Sequence, residues 1–274
     1  MSTITLLTLL TLLTLAPSDL VAQATWNDGS FTSSEAERFL HEAKRIGRAS
    51  LPTGVTRSAV LKLRDGSHEA RAVWKTLDQH KQIQRFEGGV SDLGFRDSWT
   101  SEVAAYEIDK LLDLHMVPPT VERRMRGDLG SLQLWLEGVV TEAKRRKEHP
   151  LAASEVEAYN RQMYSSRVFH QLIQDADYKN VSNLLLDGNL RLYIVDSSRA
   201  FRTQTTLANA EYLTHFSRSL IARLRDLNLE VLEKRVGRWL NKKQIEALLQ
   251  RRDLILERVF ELVARHGEAA VLYP

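Results

Sequence analysis

The first half of the chain has a pattern of apolar and polar positions that favours short strands. Residues 46–76 alternate with a period close to two, which is typical of half-buried strands. The predicted strands are Ile46–Ala49, Ala59–Leu63 and Ala70–Leu77. A capping-box pattern at Ser34 and Glu37 predicts a helix over residues 35–45 ahead of them. Residues 78–97 are polar and contain glycine, so we predict a loop there.

The middle of the chain predicts one helix and one further strand. The helix contains Glu102 and is expected to end before Val117-Pro118-Pro119, because the residue before a proline disfavours helical geometry. The run Ser131–Val140 is strand-like and ends at Glu137-Gly138.

The last part of the chain favours helices. A capping-box pattern at Ser154 and Glu157 predicts the start of the first of them, and Asn241 with Gln244 predicts the start of the last. Two short apolar runs interrupt the helices, at 184–186 and 192–195, with the turn Asp187-Gly188-Asn189 between them. These patterns together predict an α+β protein.

The N-terminal residues predict export. Leu6–Ala16 is apolar and about as long as the core of a signal peptide, and the small-residue pattern Ala22-Gln23-Ala24 follows it. Pro17 and Asp19 interrupt the run before it reaches the roughly 20 apolar residues of a membrane span. We therefore predict that residues 1–24 are a cleaved signal peptide and that the protein is periplasmic or secreted, with no membrane span. The alternative is an amphipathic N-terminal extension on a cytoplasmic protein.

Composition excludes several classes of site. The chain of 274 residues has a net charge of +3, and its acidic and basic residues are interspersed, so no nucleic-acid partner is predicted. It contains no cysteine, which excludes disulfides, thiolate zinc sites and a cysteine nucleophile. Its eight histidines show no metal-ligand spacing such as HExxH, so a zinc site is not predicted.

The segment from Asp175 to Phe201 carries the most informative chemistry. A polar loop with Asp177 and Asn183 precedes the two apolar runs, and Asp196 follows the second run. A phosphotransfer site of the kinase type is built in this order, with a base and an amide ligand before a hairpin and a metal-binding carboxylate after it. Acidic residues beside short strands also serve as turn and cap formers, and that interpretation remains the alternative.

Upstream residues complete the pattern of a known family. A lysine on a predicted strand, Lys75, and a glutamate opening a predicted helix, Glu102, come before the polar loop. The chain resembles the atypical kinases of the secretory pathway, namely the Golgi casein kinase and xylosyl kinase group, and their bacterial relatives. The resemblance covers roughly residues 35 to 205 and extends at a distance to HipA-type and phosphatidylinositol kinases. The motifs that carry it are Glu102-Val103-Ala104-Ala105-Tyr106, Ile108-Asp109-Lys110-Leu111-Leu112, Val117-Pro118-Pro119-Thr120-Val121 and Asp196-Ser197-Ser198-Arg199-Ala200-Phe201.

The resemblance implies a two-lobed protein-kinase-like fold, with a β-rich N-lobe at 25–140 and a helical C-lobe at 141–274. It also implies ATP with Mg²⁺ or Mn²⁺ as cofactors, and transfer of the γ-phosphate to a hydroxyl of a protein or glycan acceptor. The implied site residues are Lys75 for the phosphates, Glu102 as its partner, Asp177 as the base, Asn183 and Asp196 as metal ligands, Gly54 in a phosphate-covering loop and Glu137 at the adenine hinge.

One spacing departs from the family pattern. Relatives place the base and the amide ligand five residues apart, whereas Asp177 and Asn183 are six apart, and counting back five reaches Tyr178. Either the loop bulges by one residue, or the base is lost and the protein is an exported pseudokinase that acts as a nucleotide-binding or scaffold module. If the protein is active without Asp177, Asp175 is the next candidate for the base.

Overall fold

The protein has a β-rich part followed by a mainly helical part. The structure, a computed structural model, describes residues 24–49, 58–85 and 91–274, with the side chains of 91–93 left out. The elements of the first part are β1 (Thr25–Trp26), β2 (Phe31–Thr32), α1 (Ser33–Glu42), β3 (Lys44–Ala49), β4 (Ala59–Asp65), β5 (His68–Lys75), β6 (Asp78–Arg85), β7 (Ser91–Ser98), α2 (Trp99–Leu112), β8 (Thr120–Met125) and β9 (Asp128–Leu134).

The second part continues with two short strands that form a hairpin and with packed helices. Its elements are β10 (Val140–Thr141), α3 (Glu142–Glu148), α4 (Val156–Ile173), β11 (Leu184–Leu186), β12 (Leu192–Ile194), β13 (Phe216–Ser217), α5 (Arg218–Asp226), α6 (Leu229–Val236), α7 (Lys242–His266), α8 (Glu268–Val271) and β14 (Leu272–Tyr273).

The main sheet of the first part has the strand order β3-β4-β5-β9-β8, with every neighbouring pair antiparallel. Helix α1 lies against this sheet and buries Phe39 and Leu40 beside Leu61 and Leu132. Burial of such side chains removes about 25 cal/mol per Å² of apolar area from water, which holds the helix on the sheet. Strand β5 of the same sheet ends at Lys75, whose side chain contacts Asp196 of the second part.

The predicted start of α1 was wrong by two residues. Thr32 is the N-cap, and it forms a capping box with Glu35. Glu37, which we expected in the box, instead accepts hydrogen bonds from the Tyr106 hydroxyl and the Lys110 ammonium of α2, each at 2.7 Å. Glu37 therefore bonds side chains 69 and 73 positions later in the sequence and is not part of the cap.

The loop predicted over 78–97 is instead a hairpin of β6 and β7. The two strands pair in register from Asp78 opposite Ser98 to Arg85 opposite Ser91. Strand β6 is almost entirely exposed, so no apolar alternation marked it in the sequence. The end of β7 is buried, because it lies against the loop that follows β12.

The second part is built around its longest helices. Helix α4 buries Val168, Phe169, Leu172 and Ile173 completely, as the apolar stripe predicted. It begins at Val156 without a side-chain cap, so the predicted box at Ser154 and Glu157 was wrong.

Helix α7 begins with the predicted box, in which both reciprocal bonds between Asn241 and Gln244 are present. Its buried Arg251 donates hydrogen bonds to the carbonyls of Leu172, Arg202 and Gln204 at 2.8, 3.1 and 2.6 Å. Burial lowers the pKa of Arg251 to about 10, and the three carbonyls tie the chain after Phe201 to the helical core.

The connection between the two parts is short. The strand predicted over Ser131–Val140 divides into β9 and β10, with a turn at Gly138, whose φ is +66°. Side chains of α2, including Tyr106 and Ile108, belong to the core of the helical part, and the helix also lies against β8 and β9 of the sheet. Among the described residues, no helix has the length and apolar character needed to cross a membrane.

Candidate active site

Lys75 connects three elements at the boundary between the two parts. It is the last residue of β5, and its ammonium donates to the Glu102 carboxylate of α2 and to Asp196 Oδ1, the latter at 2.6 Å. The partners are 27 and 121 positions away in the sequence, so only the fold brings them together. The Glu102 side chain is 2% exposed and the Lys75 side chain 15% exposed.

The charges of this cluster support one another. Burial would lower the pKa of Lys75, but the carboxylates of Glu102 and Asp196 raise it above its ordinary value. Burial raises the pKa of Glu102, with Lys75 opposing the shift. Burial also acts to raise the pKa of Asp196, yet the charge of Lys75 holds it below its ordinary value. Lys75 therefore stays charged, and Asp196 is a carboxylate at neutral pH.

The loop after β12 is fixed by backbone hydrogen bonds on both sides. Asp196 has a φ of +62°, a left-handed conformation that aspartate adopts more readily than most residues. The Ser197 N–H donates to Glu102 Oε2 at 3.2 Å, and the Ser98 N–H donates to the Ser198 carbonyl at 2.9 Å. The Phe201 N–H donates to the Ile173 carbonyl at 2.6 Å. The loop thus presents the Asp196 side chain, 44% exposed, from a constrained backbone.

Asp177 and Asn183 are close together in spite of their six-residue spacing. The Asn180 N–H donates to the Asp177 carbonyl at 2.8 Å, and a short 3₁₀ turn over Val181–Asn183 follows. The side-chain amides of Asn180 and Asn183 each donate to Asp177 Oδ2 at 3.2 Å. The turn therefore places the two side chains in contact across the six-residue spacing, and the role of Asp177 as the base stays a prediction.

Asp175 is buried and engaged in holding the loop. Its Oδ1 accepts the N–H of Asp177 at 2.9 Å, and its Oδ2 lies 3.0 Å from Nδ1 of the buried His170. Because the Asp175 side chain is 3% exposed and the Asp177 side chain is 33% exposed, the geometry favours Asp177 over Asp175 as the carboxylate that meets a ligand.

The structure also adds Arg199, which the sequence identified only as part of a motif. Its Nη1 lies 3.7 Å from Asp177 Oδ1, and its guanidinium lies over the Phe95 ring at 5.6 Å from the centroid. The signal in the sequence was its position three residues after Asp196, in Asp196-Ser197-Ser198-Arg199-Ala200-Phe201.

Of the two other predicted nucleotide contacts, one lies outside the described residues and the other is not part of this cluster. Gly54 lies in the connection between β3 and β4, outside the described residues. Glu137 follows β9, and its Oε1 accepts a hydrogen bond from Arg71 Nε at 2.8 Å. The Asn27 side chain accepts from the Glu137 N–H and donates to the Trp135 carbonyl, both at 3.0 Å. The role of Glu137 at an adenine hinge stays a prediction, and its own N–H is already bonded.

The oxygen donors near Asp196 fit a hard divalent cation. The Val195 N–H donates to the Asn183 carbonyl at 3.0 Å, so the residue before Asp196 lies beside Asn183 across the hairpin. Mg²⁺ typically takes one or two protein carboxylates and completes its shell with water and phosphate oxygens. In the parts of the chain that the structure describes, no group of three or more His, Cys, Asp or Glu side chains is placed to hold a metal. The donor set therefore suits a cation that arrives with a nucleotide.

The fold defines a class before any particular relative is considered. An antiparallel five-stranded sheet with a lysine on its third strand, a helix supplying that lysine's glutamate and a helical second lobe make a two-lobed protein-kinase-like α+β fold. The predicted fold class is confirmed.

Comparison with known proteins finds solved structures of similar fold. No protein-family model matches the sequence, and no curated protein matches it. Among solved structures, the chain is similar to hydra Fam20 with sugar, at 16% identity and a TM-score of 0.62 over 88% of this chain and 91% of that one. It is also similar to the Golgi casein kinase, at 15% identity and a TM-score of 0.59 over 88% and 79% of the two chains.

A second structure of the Golgi casein kinase, with Mn/ADP bound, gives 16% identity and a TM-score of 0.60 over 88% and 78% of the two chains. At these identities the likeness establishes the fold. The resemblance to the secretory-pathway kinases is confirmed at that level.

Proposed function

We propose that the protein is an atypical kinase that transfers the γ-phosphate of ATP to a hydroxyl of a protein or sugar acceptor in a metal-dependent reaction. The observation that carries this proposal is the position of Lys75, held between the buried Glu102 and the half-exposed Asp196. The Lys75 ammonium is fixed by the Glu102 carboxylate and lies beside the accessible Asp196 carboxylate. This arrangement suits a ligand that carries phosphate groups together with a metal ion.

The roles of the residues follow from their charges. Lys75 neutralises the α- and β-phosphates, and Glu102 keeps the ammonium in position. Asp196 and Asn183 would hold the metal ion, which when bound neutralises phosphate charge and orients the γ-phosphate. Asp177 orients the acceptor hydroxyl and receives its proton, because its carboxylate is 33% exposed and faces the same loop.

The structural neighbours support the choice of ligands. The Golgi casein kinase binds Mn/ADP in its structure, and the hydra Fam20 structure contains a sugar. By analogy we propose Mn²⁺ or Mg²⁺ with ATP for this chain, and a sugar or protein hydroxyl as the acceptor.

The alternative function is a pseudokinase that binds nucleotide and acts as a scaffold. The six-residue spacing of Asp177 and Asn183 favours it, while the 3.2 Å contact between their side chains supports activity. Loss of turnover in an Asp177→Ala variant with unchanged nucleotide affinity would support the kinase. Wild-type protein that binds nucleotide but hydrolyses no ATP and does not phosphorylate itself would support the scaffold.

We propose further that the kinase acts outside the cytoplasm. The apolar run Leu6–Ala16 and the Ala22-Gln23-Ala24 pattern support this, and both precede the described residues. Mass spectrometry of the protein from its native host is expected to find Thr25 as the N-terminus. Protein with intact Met1 or Ser2 in a cytoplasmic fraction would contradict export.

Nucleotide binding is tested by thermal unfolding with ADP and Mn²⁺ or Mg²⁺. A ligand at 100 times its dissociation constant stabilises the native state by about 2.7 kcal/mol. We expect this stabilisation in the wild type and its loss in Asp196→Asn. Asp187→Asn is the matched control, because Asp187 lies in the β11–β12 turn and accepts hydrogen bonds from Asn189 and Arg191. Asp187→Asn is expected to lower the stability of the free protein without changing the stabilisation that the ligand causes. An equal loss of ligand-induced stabilisation in Asp196→Asn and Asp187→Asn would contradict the proposal.

A further inference from the structure

Arg199 pairs with Asp177 and lies three residues after Asp196, the two carboxylates that the proposed reaction needs. Its guanidinium is 3.7 Å from Asp177 Oδ1 and its side chain is 27% exposed. Its charge also lowers the pKa of Asp196, although burial, which raises that pKa, and Lys75, which lowers it, have larger effects. The guanidinium is therefore in contact with the candidate base and close enough to the candidate metal ligand for its charge to act on both.

The backbone around Arg199 is fixed more firmly than an exposed loop. Ser198 and Ala200 accept hydrogen bonds through their carbonyls from the Ser98 N–H at 2.9 Å and the Ser101 hydroxyl at 3.4 Å. The guanidinium lies over Phe95, whose ring is buried at the end of β7. The side chain is therefore positioned from two sides before any ligand binds, which lowers the cost of ordering it on binding.

We propose that Arg199 is a catalytic residue that donates hydrogen bonds to the phosphoryl group during its transfer. This inference rests on the proposed kinase function. In the ligand-free protein the guanidinium pairs with Asp177, and in the complex it turns its N–H groups to the oxygens of the γ-phosphoryl group. Arginine suits this role because its planar fork matches the oxygens of a phosphoryl group.

The reaction balances without any bond to Arg199. The bond between the γ-phosphorus and the oxygen bridging to the β-phosphate breaks, and its electron pair leaves with ADP. The acceptor oxygen forms a bond to the same phosphorus, and its proton passes to the Asp177 carboxylate. Arg199 lowers the barrier by neutralising charge on the oxygens that are spread around phosphorus during transfer.

A structural role for Arg199 makes a different prediction. If its function were to hold the β6–β7 hairpin through Phe95, then Phe95→Leu would have the same effect as Arg199→Ala. The nearby Lys179 provides a matched control for charge, because it is exposed and lies over the Tyr178 ring at 5.6 Å. Lys179→Ala removes one positive charge from the same loop region without touching the contact between Arg199 and Asp177.

The test is calorimetric titration of ADP and Mn²⁺ with and without aluminium fluoride, which mimics the planar phosphoryl group and needs no acceptor. Transition-state analogues bind at least about 100-fold more tightly than ground-state ligands, so we expect an enhancement of about that size in the wild type. Arg199→Ala is expected to bind ADP as the wild type does and to lose most of the enhancement, with Arg199→Lys in between. Lys179→Ala is expected to keep it, and Phe95→Leu, which removes only the ring on which the guanidinium lies, is expected to lose a small part of it.

The outcomes separate the inference from the proposed function. An enhancement retained in Arg199→Ala would overturn the inference and leave the kinase proposal standing. An equal loss in Phe95→Leu would show that Arg199 acts through the hairpin, which also overturns it. A wild type that binds ADP without any enhancement would contradict phosphoryl transfer itself. Unchanged ADP affinity in each variant verifies that the variant is folded.

Discussion

The two halves of the candidate site differ in burial and in where their residues come from. The nucleotide half consists of Lys75, Glu102 and Asp196, which β5, α2 and the loop after β12 contribute. The transfer half consists of Asp177 with its neighbours Asn183 and Arg199, and its two charged side chains are 33% and 27% exposed. Burial of Lys75 and Glu102, which are 15% and 2% exposed, makes this pair part of the stability of the fold. Asp196, 44% exposed, and the charged side chains of the second half stay accessible, so a ligand can rearrange them at little cost.

The largest effect is expected when the buried half loses its cation. Lys75→Ala leaves Glu102 without its partner at 2% exposure, and removing one member of a buried pair typically costs about 3 kcal/mol or more. Chemical denaturation at neutral pH would measure the loss. Adding Glu102→Gln to this variant is expected to recover part of it, because the uncompensated charge is gone. A loss of less than about 1 kcal/mol would show that Lys75, Glu102 and Asp196 interact no more strongly than an exposed ion pair does.

The next effect is a pH dependence that arises on the same helix as Glu102. Burial raises the pKa of Asp109 to about 7, although its Oδ1 accepts the Met116 N–H at 3.0 Å. The folded state therefore keeps a proton that the unfolded state releases above its pKa of 3.8, so stability falls as pH rises from about 4 to 7. Between pH 5 and pH 7 the free energy of unfolding of the wild type is expected to fall by about 2 kcal/mol relative to that of Asp109→Asn, since the limiting slope is about 1.36 kcal/mol per pH unit.

Denaturation curves of both proteins at several pH values check this. If the difference in the free energy of unfolding between the two proteins does not change with pH, the pH dependence does not arise from Asp109. A slope of opposite sign would show that Asp109 is charged in the folded protein.

The smallest change in stability is expected in the transfer half. Asp177→Asn removes the charge that faces Arg199, and exposed ion pairs contribute at most about 1 kcal/mol. ATP hydrolysis or self-phosphorylation is expected to fall about 100-fold or more, with nucleotide affinity nearly unchanged, because the carboxylate acts on the acceptor. Asp175→Asn is the contrast, since it disturbs the buried contact with His170 and is expected to cost more stability. Turnover that survives Asp177→Asn would exclude Asp177 as the base.

The sequence left fewer interpretations open for Lys75, Glu102 and Asp196 than for Asp177 and Asn183, and the reason is physical. Lys75, Glu102 and Asp196 each sit at the end or start of a regular element, and their order along the chain follows the order of the fold. The spacing of Asp177 and Asn183 left two interpretations open, because whether a turn absorbs one residue depends on the bond between Asn180 and Asp177.

Other features were not predictable from local pattern. The β6–β7 hairpin has no apolar alternation, since β6 is exposed and the end of β7 is buried by a loop about 100 residues later, as in the hydrogen bond from the Ser98 N–H to the Ser198 carbonyl. The two hydrogen bonds of Asn27 to the segment around Trp135 span 108 and 110 positions. Such contacts depend on the folded arrangement and leave no local signal in the sequence.

The central claim is that the Lys75 cluster is built to receive the phosphates of a nucleotide with a divalent cation. A crystal structure of the protein with ADP and Mn²⁺ tests it most directly. The account predicts that Lys75 keeps its bond to Glu102 and turns from Asp196 to the phosphates, while Asp196 binds the metal ion. A nucleotide bound elsewhere, with the Lys75 to Asp196 contact of 2.6 Å intact, would contradict it.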